Sequence, residues 1–98
     1  MLYKVFHANE PTFGMAGLGD TPKFPEDYSH VATVDCEGLD HAFEKTNHID
    51  HDWTTNPEVV ELKKSRNRST SVGDILQSEN GMLHYCAPVG WDILVKEN

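Results

Sequence analysis

The segment Arg68-Ser69-Thr70-Ser71-Val72-Gly73-Asp74 has the residue types that could bind an anion. It combines a guanidinium, three hydroxyls, a glycine and a carboxylate, and an apolar stretch begins directly after it. Guanidinium groups and backbone amides near a glycine can hold a phosphate or a carboxylate. A small-ligand binder, such as a nucleotide sponge, is therefore one candidate function. The candidate ligand-binding residues are Arg66, Arg68, Ser69, Ser71 and Asp74, with the ring of Trp53 as an aromatic wall.

The alternative for this segment is structural. Arg68 and Asp74 would then hydrogen-bond within the chain and set the angle at which the following strand is entered. Side chains alternate between the two faces of an extended segment. If the strand begins early, this alternation divides the polar groups between both faces and disfavours a single pocket.

A second cluster has the residue types of a metal site. His48, Asp50, His51 and Asp52 place two imidazoles and two carboxylates within five residues. These ligand types suit Zn²⁺, Mn²⁺ or Fe²⁺, and they would support a metal-dependent enzyme. Their spacing matches no His-Glu-x-x-His helix, however, and Asp residues in such stretches commonly stabilise turns. We therefore expect turn chemistry here and no cofactor, with metal binding as the open alternative.

The composition limits the classes of partner. The 98 residues fit one domain, residues 1–98, and the net charge of −8 disfavours direct binding to nucleic acid. The first residues lack a signal peptide's long apolar stretch, and no apolar run approaches 18 residues. We therefore expect a cytoplasmic protein with no membrane span. The sequence also lacks a Gly-x-Ser-x-Gly nucleophile motif, which favours a non-enzymatic protein.

Hydrophobic alternation and turn residues predict the elements that position these groups. Strands are predicted at 2–7, 28–36, 71–77, 82–89 and 91–95, and a helix at 39–46. A long Gly/Pro-rich loop is predicted at 8–29, and residues 47–61 read as irregular. On the second strand, His30 is expected to share a face with Ala32. The fold class is α+β: a mainly antiparallel sheet of about five strands with one short helix packed on one face.

Several of these segments together resemble a known group of proteins. Residues 40–48, Trp53, the RSTSVGD stretch at 68–74, Tyr85 and the Gly90-Trp91 pair are similar to small uncharacterised bacterial and phage proteins. The later segments also resemble the YodL-like domain of mobile elements, which carries an RSxSVxD-type strand. The family has no established activity to transfer. The resemblance implies a mobile-element setting and interference with a host system.

These observations favour a small acidic binding module with a protein partner, such as an inhibitor of a host defence or nucleic-acid enzyme. Its acidic residues could mimic a phosphate track towards a basic groove: Glu26, Asp27, Asp35, Glu37, Asp40 and Glu44. The exposed edges of the predicted sheet also make a homodimer a candidate assembly. The small-anion binder and the metal-dependent enzyme remain the alternatives.

Overall fold

The computed structural model describes residues 1–9, 24–47, 52–63, 68–87 and 90–94. The elements in chain order are β1 (Leu2–Ala8), β2 (Tyr28–Asp35), α1 (Leu39–Lys45), a 3₁₀ turn (Trp53–Thr55), β3 (Val59–Leu62), β4 (Ile75–Gln77), β5 (Leu83–Cys86) and β6 (Trp91–Leu94). The strands form one antiparallel sheet in the order β3-β2-β1-β4-β5-β6. The predicted α+β class, with a mainly antiparallel sheet and one short helix, is confirmed.

Three strands differ from the sequence-based prediction by more than one residue. β5, predicted at 82–89, is shorter and spans Leu83–Cys86. β3 lies at the end of the stretch predicted to be irregular, and it raises the number of strands from about five to six. β4 begins at Ile75 rather than at Ser71. Residues 71–74 instead form a turn, in which the Asp74 N–H donates to the Ser71 carbonyl at 3.0 Å. Gly73 adopts a φ of 98°, a conformation that a glycine reaches without steric cost.

The pairing of β1 with β2 contains a bulge that changes which face His30 occupies. Val5 lies opposite Ala32, but its neighbour Phe6 lies opposite His30, so Val31 is the extra residue. Two residues of β2 therefore oppose one residue of β1, and the alternation of faces is interrupted. His30 consequently lies on the opposite face from Ala32, contrary to the prediction, and its ring packs against Phe6 at a centroid distance of 5.1 Å.

The helix-bearing face of the sheet holds the larger core. Ala42 of α1 is completely buried and belongs to this core. α1 ends at Thr46, whose hydroxyl donates to the Ala42 carbonyl at 2.8 Å. The buried members of this cluster are Tyr3, Val5, Val31, Ala32, Val34, Cys36, Ala42, Trp53 and Leu76.

The opposite face carries a smaller apolar cluster of Ala8, Tyr28, Ile75 and Leu83. Phe24 contributes by packing edge-to-face on Phe6 at 4.9 Å. The predicted loop at 8–29 begins one residue later, because β1 includes Ala8, and β2 begins at Tyr28 as the predicted strand does. Residues 10–23 of that loop lie outside the described residues. Among the described helices, none has the length and apolar character needed to cross a membrane.

Candidate functional site

The centre of the RSTSVGD segment is a two-pronged ion pair between Arg68 and Asp74. Arg68 Nη1 lies 2.6 Å from Asp74 Oδ2, and Arg68 Nη2 lies 2.7 Å from Asp74 Oδ1. The carboxylate is 1% exposed, whereas the guanidinium side chain is 44% exposed. The hydrogen bonds to Asp74 raise the pKa of Arg68 above its usual value. Parallel contacts of this kind combine charge with fixed orientation.

At the end of β1, this ion pair provides the hydrogen-bond partners that a neighbouring strand would otherwise give to the backbone. The Ala8 N–H donates to Asp74 Oδ1 at 2.9 Å, and the Ala8 carbonyl accepts from Arg68 Nη2 at 3.1 Å. The β1–β4 ladder itself stops at the Phe6–Ile75 pair. The N–H and the carbonyl of Ala8 have no partner strand, because β4 ends before reaching them. They hydrogen-bond instead to the side chains of Asp74 and Arg68, as buried backbone groups require.

The remaining polar groups of the segment also bind within the chain. The Ser71 N–H donates to Asp74 Oδ2 at 2.8 Å. Arg68 Nη1 also donates to the Ser69 carbonyl at 3.0 Å and lies 3.4 Å from Ser71 Oγ. An anionic ligand at this guanidinium would have to compete with a buried carboxylate for the same N–H groups. The geometry is that of the structural alternative, in which Arg68 and Asp74 direct the chain into β4.

A buried polar layer connects this segment to α1 and β1 through Thr70. The Thr70 N–H donates to the Thr46 carbonyl at 2.8 Å, and the Thr70 carbonyl accepts from Asn47 Nδ2 at 2.6 Å. Thr70 Oγ1 lies 2.9 Å from His7 Nε2, and this imidazole nitrogen is 4.0 Å from Asp74 Oδ2. Both His7 and Thr70 are buried, so this layer fixes the segment against the core.

Trp53 contacts the RSTSVGD segment from the core side. Its indole N–H donates to the Arg68 carbonyl at 2.8 Å, and its ring packs edge-on against His7 at 6.0 Å. Trp53 is 1% exposed. The sequence-based hypothesis placed the Trp53 ring in the wall of a ligand-binding site. In the structure the ring lies in the core, where its N–H orients the Arg68 backbone.

Of the predicted metal cluster, Asp52 belongs to the described residues. Its Oδ1 accepts from the Thr54 N–H at 3.0 Å and from Thr54 Oγ1 at 2.6 Å, so it caps the 3₁₀ turn. His48, Asp50 and His51 lie outside the described residues, as does Arg66. Among the positions that the structure describes, no three His, Cys, Asp or Glu side chains are grouped as a metal site would require.

A shallow groove on the face opposite α1 is separate from the Arg68–Asp74 pair. It has a volume of about 330 Å³, and its lining includes Lys4, Thr33, Gln77 and Glu79. Lys4 and Ala8 are four residues apart along β1, which corresponds to about 13 Å. The groove and the candidate anion site therefore do not form one pocket.

The two cysteines are free, buried and far apart. Cys36 directly follows β2 and Cys86 ends β5, and two strands lie between β2 and β5. Three strand spacings correspond to roughly 14 Å, too far for a disulfide. Burial raises the pKa of each thiol to about 11.

We expect both thiols to be unreactive in the folded protein. A pKa near 11 leaves roughly one thiol in a thousand ionised at pH 8, and the thiolate is the reactive form. Treatment with an aromatic disulfide reagent at pH 8 should release colour slowly from the native protein and rapidly after denaturation. A Met82→Cys variant, with its new thiol on the surface, supplies the fast control; equally fast labelling of the native parent protein would contradict the expectation.

The six acidic residues that were predicted to mimic a phosphate track are distributed over two ends of the sheet. Glu26 and Asp27 directly precede β2, whereas Asp35 is its last residue and Glu37 follows it. The eight residues of β2 separate these pairs by roughly 26 Å, so the six acids do not form a single track. Three of the acids, Glu37, Asp40 and Glu44, are instead exposed along and just before α1.

Comparison with protein-family models, with curated proteins and with solved structures gives no match for this chain.

Sequence reasoning missed the partners that make the segment structural. Ala8 contributes only backbone groups, which no side-chain motif announces, and Thr70 and Asn47 carry no distinctive spacing. His7 did leave a signal. It continues the every-second-residue series of Tyr3 and Val5, which are both buried, so its position on β1 indicated a buried imidazole.

Proposed function

We propose that this protein is a small, non-catalytic binding module whose α1 surface contacts a basic protein partner. The α1 acidic surface is defined here as Glu37, Asp40 and Glu44. The observation that carries the proposal is the distribution of ion pairs. Of the four described lysine and arginine side chains, Lys45 pairs with Glu58, Lys63 with Glu61, and Arg68 with Asp74, while Lys4 lies in the groove on the face opposite α1. The three residues of the α1 acidic surface are exposed and belong to none of these ion pairs, so they are available to cations of another molecule.

The helix presents these carboxylates in a regular arrangement. Asp40 and Glu44 are four residues apart, so they are neighbours on one side of α1 with about 5–6 Å between their Cβ atoms. The indole N–H of Trp91 donates to Asp40 Oδ1 at 3.0 Å, and the Trp91 ring packs edge-on against Phe43. These contacts hold Asp40 in place, which reduces the entropy lost when a partner binds.

The class of partner follows from charge and from the family resemblance. A basic groove that normally receives nucleic acid would attract a rigid row of carboxylates. The resemblance to phage and mobile-element proteins supports a host defence or nucleic-acid enzyme as the owner of that groove. A cytoplasmic site of action belongs to the same proposal.

A capture experiment with charge-matched variants tests the proposal. The tagged protein is incubated with lysate of a bacterial host, and the retained proteins are quantified at increasing salt. We expect a basic protein that is retained by the parent chain, released by salt, and lost with Glu37→Gln/Asp40→Asn/Glu44→Gln. The control, Glu26→Gln/Asp27→Asn/Asp92→Asn, makes the same change in net charge elsewhere and should retain it. Equal retention by both variants, or no salt-sensitive partner at all, would overturn the proposal.

A further inference from the structure

The outer edge of β3 presents backbone groups and apolar side chains to solvent. Within the described part of the chain, β3 is the last strand on its side of the sheet, and Val60 and Leu62 are 56% and 42% exposed. The Lys63 N–H donates to the Val31 carbonyl at 2.9 Å, so the Lys63–Val31 pair is hydrogen-bonded. Hydrogen-bonded and non-hydrogen-bonded pairs alternate along an antiparallel ladder. The backbone N–H and carbonyl of Leu62 therefore point away from β2, towards the free edge.

The charges beside Leu62 have a self-complementary order. Glu61 and Lys63 flank Leu62 and lie on the same face of the sheet, with Lys63 Nζ 3.2 Å from Glu61 Oε2. Thr33 Oγ1 donates to Glu61 Oε1 at 3.1 Å and holds the carboxylate on that face. Leu62 faces the opposite side, where it lies across from Ala32. Residues 61–63 run acid, apolar, base along the chain. An antiparallel copy of the same strand runs base, apolar, acid, so each charge meets its opposite.

We propose that β3 pairs antiparallel with β3 of a second copy of this chain, around a two-fold axis at Leu62. Leu62 then lies opposite Leu62 of the second copy, and their outward backbone groups hydrogen-bond to each other. Glu61 lies opposite Lys63 of the second copy, and Lys63 lies opposite Glu61. The four charges alternate in sign across the new junction, and the two sheets join into one.

Charge complementarity favours a second copy over another occupant. A parallel arrangement in register would oppose Glu61 to Glu61, because like residues then face each other, and like charges directly opposite are destabilising. A purely apolar strand would leave both charges without cross-strand partners. The bulge in the β2–β3 pairing lies at Val60, on the amino-terminal side of Glu61 and Leu62, which are paired in register with Thr33 and Ala32. Lys63 directly follows β3, and its N–H continues the hydrogen bonding to β2 at the Val31 carbonyl. This inference concerns the sheet edge and is independent of the α1 acidic surface.

Sedimentation velocity over a range of protein concentrations tests the assembly. The parent protein should shift from monomer to dimer as concentration rises. Lys63→Glu places four negative charges at the junction and should keep the protein monomeric, whereas Lys4→Glu makes the same charge change on β1 and should leave the dimer intact. The double variant Glu61→Lys/Lys63→Glu reverses the order of the charges and should restore the dimer. A monomeric parent protein, or a dimer that Lys63→Glu does not weaken, would overturn the proposal.

Cysteine cross-linking tests the register separately. Opposed hydrogen-bonded residues have Cα atoms about 5.5 Å apart, within the span of a disulfide. A Leu62→Cys variant should form a covalent dimer under mild oxidation. The control position, Val60, is even more exposed than Leu62, but the two copies of residue 60 would lie roughly 13 Å apart along the strands. Cross-linking of Val60→Cys as fast as that of Leu62→Cys would overturn the register.

Discussion

Replacing Asp74 with Ala should lower the free energy of unfolding by about 3 kcal/mol, because the change leaves buried backbone donors without acceptors. The carboxylate accepts from the Ala8 and Ser71 N–H groups as well as from the guanidinium of Arg68. Each unsatisfied buried N–H costs about 1–3 kcal/mol. Arg68 adds little to this cost, because its partly exposed guanidinium can return to water.

Thermal or urea unfolding followed by circular dichroism measures this effect. In a domain of this size, the expected loss corresponds to a fall in Tm of roughly 12–24 °C. The matched control is Asp92→Ala, which removes an exposed aspartate on β6 and should change the free energy of unfolding by less than about 0.5 kcal/mol. An Asp74→Ala protein as stable as this control would show that the ion pair does not support the end of β1.

Replacing Trp53 with Ala should cost about 3–5 kcal/mol of unfolding free energy, the usual range for a large aromatic ring removed from a core. Trp53 is 1% exposed, and it also donates the hydrogen bond that fixes the Arg68 carbonyl. Trp53→Phe keeps most of the buried volume and loses that hydrogen bond. It should therefore fall between the parent protein and the Ala variant, and urea unfolding of all three proteins gives the comparison.

The second tryptophan provides the control for this series. Trp91 is only partly buried, and its indole donates to an exposed carboxylate. Trp91→Phe should therefore destabilise the protein much less than Trp53→Ala does. If the two changes had equal effects, the buried layer formed by Trp53, His7 and Thr70 would not be a principal support of the fold.

The local patterns of the sequence predicted the fold class and most strand positions. The alternation in β1 acts over a few residues, so sequence reasoning captures it. β3 was missed because it has only four residues and its neighbours are polar and charged. Its position depends on pairing with β2, which is a long-range contact.

The candidate site illustrates the same limit. The sequence identified Arg68 and Asp74 and weighed a ligand against an internal ion pair, but it did not name Ala8 as the group they serve. That role depends on where the β1–β4 ladder stops, which is a property of the assembled sheet. The bulge at Val31 was unpredictable for a similar reason, since one extra residue in a pairing leaves no mark in the local alternation of β2.

The central position of β1 has a consequence for how the sheet would open. β1 pairs with β2 along its whole length but with β4 only from Lys4 to Phe6. Partial unfolding should therefore separate β4, β5 and β6 as one unit, with the β1–β2 hairpin left behind. Such an opening would uncover the long edge of β1, which is a template for aggregation. The Arg68–Asp74 ion pair lies at the end of this short β1–β4 pairing. It should therefore oppose the separation of β4 from β1, and with it the aggregation that an exposed β1 edge would allow.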